Sequence, residues 1–284
     1  MNRVQMCGNS IASERHPDRN EDSYMMHDNG AIGVFDGLGG HVGSEYASQL
    51  AAKYIASVLD SSPSDTITPD AAQQYFRETL QQAHELICHV QDLGRRGIAC
   101  TAVVAQTFNN PDNDKPYVQF THAGDSRGYL YRHGRFVYTT LDHTASTKDL
   151  PLDEQWRIQR HLAQATRRDQ IDPYDWRYLY ERSAISSCLG LSNDPKISSY
   201  SVPVASGDLI LLTSDGIHDN LTTREIRSII GQYGIDAPQR LTQAAQFRSR
   251  EPRKGYMKID GEQIEIDYIR PKPDDMTAIV RVIE

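Results

Sequence analysis

Residues 100–140 read CTAVVAQTFNNPDNDKPYVQFTHAGDSRGYLYRHGRFVYTT. Four short runs rich in β-branched and aromatic residues, CTAVVAQT, YVQFTHA, RGYLYR and RFVYTT, are split by Asn-Asn-Pro-Asp and by His133-Gly134. Runs of that length divided by turn-forming residues predict strands. The texture returns downstream in DLILLTS (208–214) and MTAIVRVI (276–283), and upstream in residues 2–11 and in AIGVFD (31–36).

Helices lie between these groups. Residues 42–59 place Tyr46, Ala47, Leu50, Ala51, Tyr54, Ile55 and Val58 along one helical face. Thr68-Pro69 offers an N-cap and a first helical residue, followed by an apolar stripe at Phe76, Leu80, Ala83, Ile87 and Val90, with Gly94 as the stop. A capping box, Thr222 to Glu225, opens a further helix through about Gly231. Grouped strands with helices between them predict an α+β fold, sheet on sheet with helices outside. Two segments break the pattern. Residues 144–183 are polar, rich in Arg and Tyr, and interrupted by Pro151 and Pro173; with so little apolar periodicity they are expected to be mobile. Residues 247–273 are charged and hold an Asp260-Gly261 hairpin signal. Both read as insertions on a single domain spanning residues 1–284.

The 284 residues suffice for a large core, and 38% apolar with 24% charged residues excludes a disordered or fibrous chain. Thirty basic against 38 acidic residues give a formal charge of −8, which offers no global attraction to nucleic acid. No apolar run approaches the roughly 20 residues of a membrane span, and MNRVQMCGNSIASER shows no apolar targeting core. The four cysteines show no Cys-x-x-Cys spacing. They predict reduced thiols in the cytoplasm, and any metal is expected to be held by oxygen.

Acidic residues recur where apolar strands end. Asp36 follows AIGVF and precedes Gly37; Asp215 follows DLILLTS and precedes Gly216; Asp274-Asp275 precedes the last strand; Asn20-Glu21-Asp22 lies in an early loop. A strand fixes the direction of a carboxylate at its end, and a following Gly permits close approach. Several carboxylates aimed at one place repel unless a cation lies between them, and hard oxygen donors suit Mg²⁺ or Mn²⁺.

Six motifs occur in order: Asn20-Glu21-Asp22-Ser23, Val34-Phe35-Asp36-Gly37-Leu38-Gly39-Gly40-His41, Gly124-Asp125-Ser126-Arg127, Leu189-Gly190, Thr213-Ser214-Asp215-Gly216-Ile217-His218-Asp219 and Asp274-Asp275-Met276-Thr277. Together they resemble the metal-dependent protein phosphatases of type 2C in their bacterial form. The resemblance implies a four-layer α/β/β/α architecture with a central antiparallel β-sandwich, two or three Mn²⁺ or Mg²⁺ ions in a cleft at one end, and hydrolysis of phosphoserine and phosphothreonine by a metal-activated water. It implies that Asp36 bridges two ions, with the Gly37 carbonyl on the second. Asp215 and Asp274 complete the first, Glu21 and Asp22 serve the second or its waters, and Asp125 with Asp219 match a third, weaker position. It also implies a phosphorylated protein partner, the product of a Ser/Thr kinase.

Three positions depart from the family pattern. Leu38 stands where some members carry a histidine acid, with His41 three residues on. The position of the usual phosphate-gripping arginine is Pro17, flanked by Arg15 and Arg19; Arg15 is preferred because Arg19 adjoins the ligand loop. Asp275 stands where Asn is usual, which leaves Asp274 as the expected ligand of the pair. With Asp36, Asp215 and Asp274 all present the sequence favours an enzyme over a catalytically weak pseudophosphatase acting as a regulatory binding module. A phosphoesterase for small molecules remains a third reading. Arg167-Arg168 in the first insertion is a candidate phosphopeptide contact.

Overall fold

The computed structural model describes residues 4–38, 43–61, 65–93, 97–191, 194–259 and 262–284. In chain order its strands are β1 (Met6–Ile11), β2 (Asp22–Met26), β3 (Ile32–Asp36), β4 (Ala102–Asn110), β5 (Lys115–Ala123), β6 (Arg127–Arg132), β7 (Arg135–Thr139), β8 (Ser198–Pro203), β9 (Leu209–Thr213), β10 (Lys254–Ile259), β11 (Glu262–Asp267) and β12 (Met276–Val282). Its helices are α1 (Ser44–Leu59), α2 (Pro69–Asp92), α3 (Leu152–Leu162), α4 (Trp176–Tyr180), α5 (Asp215–His218), α6 (Thr223–Tyr233) and α7 (Ala237–Ser249).

Two five-stranded sheets, β1-β12-β9-β6-β7 and β2-β3-β4-β5-β8, are antiparallel throughout, and β10-β11 forms a separate hairpin. The period-two alternation of the strands builds the layers. Ile32 and Val34 of β3, Val103 and Ala105 of β4, and Phe120 of β5 meet Leu130, Ile210, Leu212 and Ile279 in one buried cluster between the sheets. The alternate residues point outward. Phe35, Ala102 and Val104 pack under Ala51 and Ile55 of α1 and Phe76, Leu80 and Ile87 of α2. Leu211, Ala278 and Val280 pack under Ile217, Ile226, Ile230, Leu241 and Ala245 of α5–α7. The order is therefore helix, sheet, sheet, helix, as the resemblance implied.

The helix signals act where the sequence places them. Thr68 Oγ1 accepts the Ala71 N–H of α2 at 3.4 Å. Thr222 and Glu225 form a reciprocal capping box on α6. The expected stop Gly94 and the hairpin signal Asp260-Gly261 lie outside the described residues; α2 is described to Asp92, with Leu93 as its C-cap.

The first insertion is less bare than its sequence suggests. Ala165, Ile171 and Leu179 form a small core with Leu162, Trp176 and Ile269. Arg157 grips Asp175 through two hydrogen bonds of 2.8 Å and also holds Glu154. Ile269 N–H donates to the Thr166 carbonyl at 3.0 Å, so the segment is stitched to the chain leaving the hairpin. Of the second insertion, residues 247–249 belong to α7.

Two buried histidines support the turn that carries Asp125. Gly124 N–H donates to His143 Nδ1 at 3.2 Å, and His143 stacks on His122 with ring centroids 4.6 Å apart. His122 Nε2–H donates to the Leu141 carbonyl at 2.9 Å. Burial holds His122 down to about 4 against an ordinary 6.5, and lowers His143 further, where charge on His122 also opposes protonation. The unfolded chain therefore takes up protons near pH 6.5 that the folded chain refuses. Stability from this pair is complete above that pH and is lost as pH falls toward about 4, by up to about 1.4 kcal/mol per pH unit per histidine. His122→Gln is expected to flatten the decline in the denaturation midpoint between pH 7 and pH 5, measured by urea unfolding. An unchanged slope would remove this account.

Candidate metal and active site

The carboxylates of interest gather at one end of the sandwich, and the ladders explain why. Asp22 and Asp36 are direct partners in the antiparallel β2–β3 register. Asp215 begins α5 immediately after β9, and Asp274-Asp275 leads into β12, which pairs with β9. Asp125 sits in the turn from β5 to β6. Asp22, Asp125 and Asp215 are buried, while Asp36, Asp219 and Asp274 are partly open to the cleft.

Close backbone contacts fix this geometry. Gly37 N–H donates to the Glu21 carbonyl at 3.1 Å, and a Cβ on Gly37 would lie 2.5 Å from the Ser44 carbonyl oxygen. A Cβ on Gly216 would drive into the Asp275 carbonyl oxygen. Each glycine is thus required by a neighbouring segment that carries a carboxylate.

Mutual repulsion marks the cluster. Burial raises the Asp36 carboxyl well above the usual range, and Asp22, Asp215, Asp274 and Asp125 raise it further. Asp22 and Asp125 are likewise raised, chiefly by burial, and Asp215 is pushed up to about 6, with burial the larger cause. Asp22 Oδ2 accepts from Ser214 Oγ at 2.7 Å and from Thr277 Oγ1 at 2.6 Å, tying one sheet to the other. Its Oδ1 is buried and has no hydrogen-bond partner among the described residues. A buried oxygen with no donor, beside carboxylates that repel it, is what a hard divalent cation satisfies, and the all-oxygen donor set fits Mg²⁺ or Mn²⁺.

Asp274 and Asp275 face opposite ways. Asp275 is buried, its two oxygens accepting the Ser13 and Glu21 backbone N–H groups at 2.6 Å each. Asp274 is turned to the cleft, 3.1 Å from Lys272 Nζ. His16, Glu21 and Asp275 also bring ligand-type atoms within 4.8 Å of one another, with several of these atoms already engaged. Both Asp275 oxygens are engaged, and His16 Nδ1 lies 2.8 Å from the Arg19 carbonyl, to which it must donate.

The arginine candidates also separate. Arg19 is 2.8 Å from Glu21 Oε1, whereas Arg15 is exposed and has no ion pair among the described residues. Glu21 is buried, and burial raises its carboxyl. Asp219 is drawn below the ordinary carboxylate range: burial opposes this, but Arg182 and Lys272 prevail. His41 lies outside the described residues. Arg167 pairs with Asp169, and Arg168 lies over the Trp176 ring at 3.9 Å from its centroid.

Lys272 was not anticipated from sequence. Its ammonium contacts Asp215, Asp219 at 2.9 Å and Asp274 at 3.1 Å. The only available sign was its setting in Pro271-Lys272-Pro273, directly before the expected ligand.

A family model described as Protein phosphatase 2C matches residues 2–253. The serine/threonine phosphatase stp of Listeria monocytogenes is 22% identical over 199 residues, covering 69% of this chain and 70% of that protein. Protein phosphatase PhpP of Streptococcus pneumoniae is 25% identical over 196 residues, with the same coverage of 69% and 70%. Among solved structures, the serine/threonine phosphatase Stp1 from Staphylococcus aureus shares the fold with a TM-score of 0.71 at 20% identity, over 99% of this chain and 95% of that one. A catalytic domain of the serine/threonine phosphatase PstP in complex with 2 manganese ions has a TM-score of 0.67 at 21% identity, over 99% of this chain and 98% of that one. With the family model running from β1 to the start of the hairpin, the chain belongs to the protein phosphatase 2C family.

Proposed function

We propose that this chain is a cytoplasmic, metal-dependent protein serine/threonine phosphatase built as one domain. The observation that carries the reading is the meeting of buried, mutually repelling carboxylates around an unpaired Asp22 oxygen. Asp36, Asp215 and Asp274 would hold one divalent ion, and Asp36, the Gly37 carbonyl and Glu21 a second, with Asp22 beside it; Mn²⁺ or Mg²⁺ suits both. Ions so held supply positive charge against the phosphoryl oxygens and acidify water enough for attack near neutral pH. Asp125 and Asp219 would serve a third, weaker position, if it is filled.

The protein's own part is holding and orienting. Arg15, exposed and without an ion pair among the described residues, would grip the phosphate, and its guanidinium suits two phosphate oxygens at once. Leu38 can give no proton to the leaving oxygen. A cleft lined by Arg168, Tyr180, Arg182, Arg253, Tyr268 and Lys272 runs between the first insertion and the hairpin. It supports a phosphorylated polypeptide, made by a Ser/Thr kinase, over a small phosphoester. Among the described residues no helix is long and apolar enough to cross a membrane, and all four cysteines are unpaired, which fits a reducing compartment.

The test is hydrolysis of a phosphothreonine peptide and of p-nitrophenyl phosphate, with Mn²⁺ and with excess EDTA. Turnover is expected only with metal. Mn²⁺ is also expected to raise the melting temperature, since it binds the folded cluster and relieves its repulsion. Undiminished turnover in chelator, or no thermal response to Mn²⁺, would sink the reading.

A further inference from the structure

The lysine in the carboxylate cluster is held there by its backbone as well as by its charge. Asn220, fully buried at the end of α5, accepts the Lys272 N–H at 2.9 Å and donates to the Lys272 carbonyl at 2.7 Å. The same side-chain nitrogen donates to the Gly216 carbonyl at 2.8 Å, so one amide locks the lysine's main chain to the helix bearing Asp215 and Asp219. Pro271 and Pro273 fix φ on either side. Two residues back, Arg270 is buried and donates to the carbonyls of Leu162, Ala165 at 2.6 Å and His218 at 2.9 Å. The strap from 270 to 274 is anchored, which sets the base of the lysine stem beside the carboxylates it contacts.

Charge counting shows what this placement does. On the Lys272 side, Asp125, Asp215, Asp219 and Asp274 carry four negative charges, and Lys272 with Arg182 brings two positive ones. The remainder is what one divalent ion neutralises. On the other side, Glu21, Asp22 and Asp36 face Arg19, and the buried Asp275 behind them is held by two backbone N–H groups. Without Lys272, Asp219 would keep only Arg182 at 3.4 Å, and Asp215 would lose its sole ion-pair partner among the described residues.

We propose that Lys272 is a resident cation of this cluster, filling the position between Asp215 and Asp219 so that the protein takes up two divalent ions where its carboxylates alone would call for three. The lysine acts as a positioning residue and as a counter-charge, with no contact to the phosphoryl group required. This rests on the cluster being a divalent-cation centre.

The test is Mn²⁺ binding by calorimetry and by electron paramagnetic resonance of free Mn²⁺, on the full chain. The wild type and Lys272→Arg are expected to take up two ions, and Lys272→Met a third, weaker one. Three ions in the wild type, or the same two with the same affinities in Lys272→Met, overturns the proposal. No Mn²⁺ binding by the wild type would instead overturn the metal reading beneath it. A second measurement needs no variant. Amine-reactive labelling read by mass spectrometry should modify Lys272 at least about tenfold more slowly than exposed Lys53 and Lys115, with and without Mn²⁺. Exposure of Lys272 on metal loading would show that the ions displace it, and the proposal would fail even if Lys272→Met did not fold.

Discussion

Asp36→Asn is expected to reduce phosphopeptide turnover by several orders of magnitude while making the metal-free protein harder to melt. Both effects follow from where β3 ends. Asp36 is opposite Asp22 across the β2–β3 ladder, and its backbone is clamped by Thr101, whose hydroxyl accepts the Asp36 N–H at 3.2 Å and whose own N–H donates to the Asp36 carbonyl at 2.8 Å. The side chain therefore has little choice of direction. Asp22, Asp215, Asp274 and Asp125 all act on it as like charges. Removing its charge removes the group that two ions would share, so that the acidified water and the phosphate clamp fail together. In the metal-free state the same change relieves repulsion among buried carboxylates, and the melting temperature should rise. The Mn²⁺-induced rise should shrink or vanish. A merely damaged fold would lower the metal-free melting temperature, so the pair of readings separates the two cases. A variant that keeps more than a few per cent of activity with its metals bound would disprove the shared-ligand role.

Much of this was legible because the chemistry is written at strand ends. An apolar run such as DLILLTS announces both a buried strand and the place where it stops, and the Asp-Gly that follows marks a carboxylate under a close approach. The same logic found Asp36-Gly37 and the pair before β12. What escaped has no local signature. β8 reads SSYSVP and carries no apolar alternation. It is a strand because Ser199 Oγ and Ser201 Oγ hydrogen-bond Gln119 of β5, at 2.8 and 2.6 Å, so its neighbour and not its own residues makes it extended. β2 is only five residues, and its first is a buried Asp held by hydroxyls from the other sheet. α7 is rich in Ala and Gln, and its weakly apolar face packs on β12, β1 and the neighbouring helices. The first insertion looked featureless because its small core draws Ile269 from a segment about a hundred residues away. Lys272 belongs to the same class. A lysine between prolines suggests an exposed turn, and only the tertiary fold brings Asn220 and three carboxylates around it.

The adjacent carboxylates before β12 should separate cleanly when each is made an amide. Asp274→Asn changes a cleft-facing group whose ion-pair partner is Lys272. It is expected to weaken Mn²⁺ binding strongly and to leave the metal-free melting temperature near that of the wild type. Asp275→Asn places the residue usual for this family and is expected to leave Mn²⁺ binding nearly intact. Its cost falls on the fold instead. Each Asp275 oxygen accepts a different backbone N–H, from Ser13 and from Glu21. An amide has one acceptor oxygen, and its NH₂ would face a donor. One buried N–H is then left without a partner, at a cost of about 1–3 kcal/mol. The loosened segment runs from Ser13 to Glu21 and carries Arg15, so the Michaelis constant for a phosphopeptide should rise more than the turnover number falls. Mn²⁺ affinity should change little, because neither Asp275 oxygen faces the cleft. Calorimetric Mn²⁺ titration and thermal melting of the two variants decide the matter. If Asp275→Asn loses the metal while Asp274→Asn loses stability, the two side chains have exchanged roles and the register of this segment is wrong by one residue.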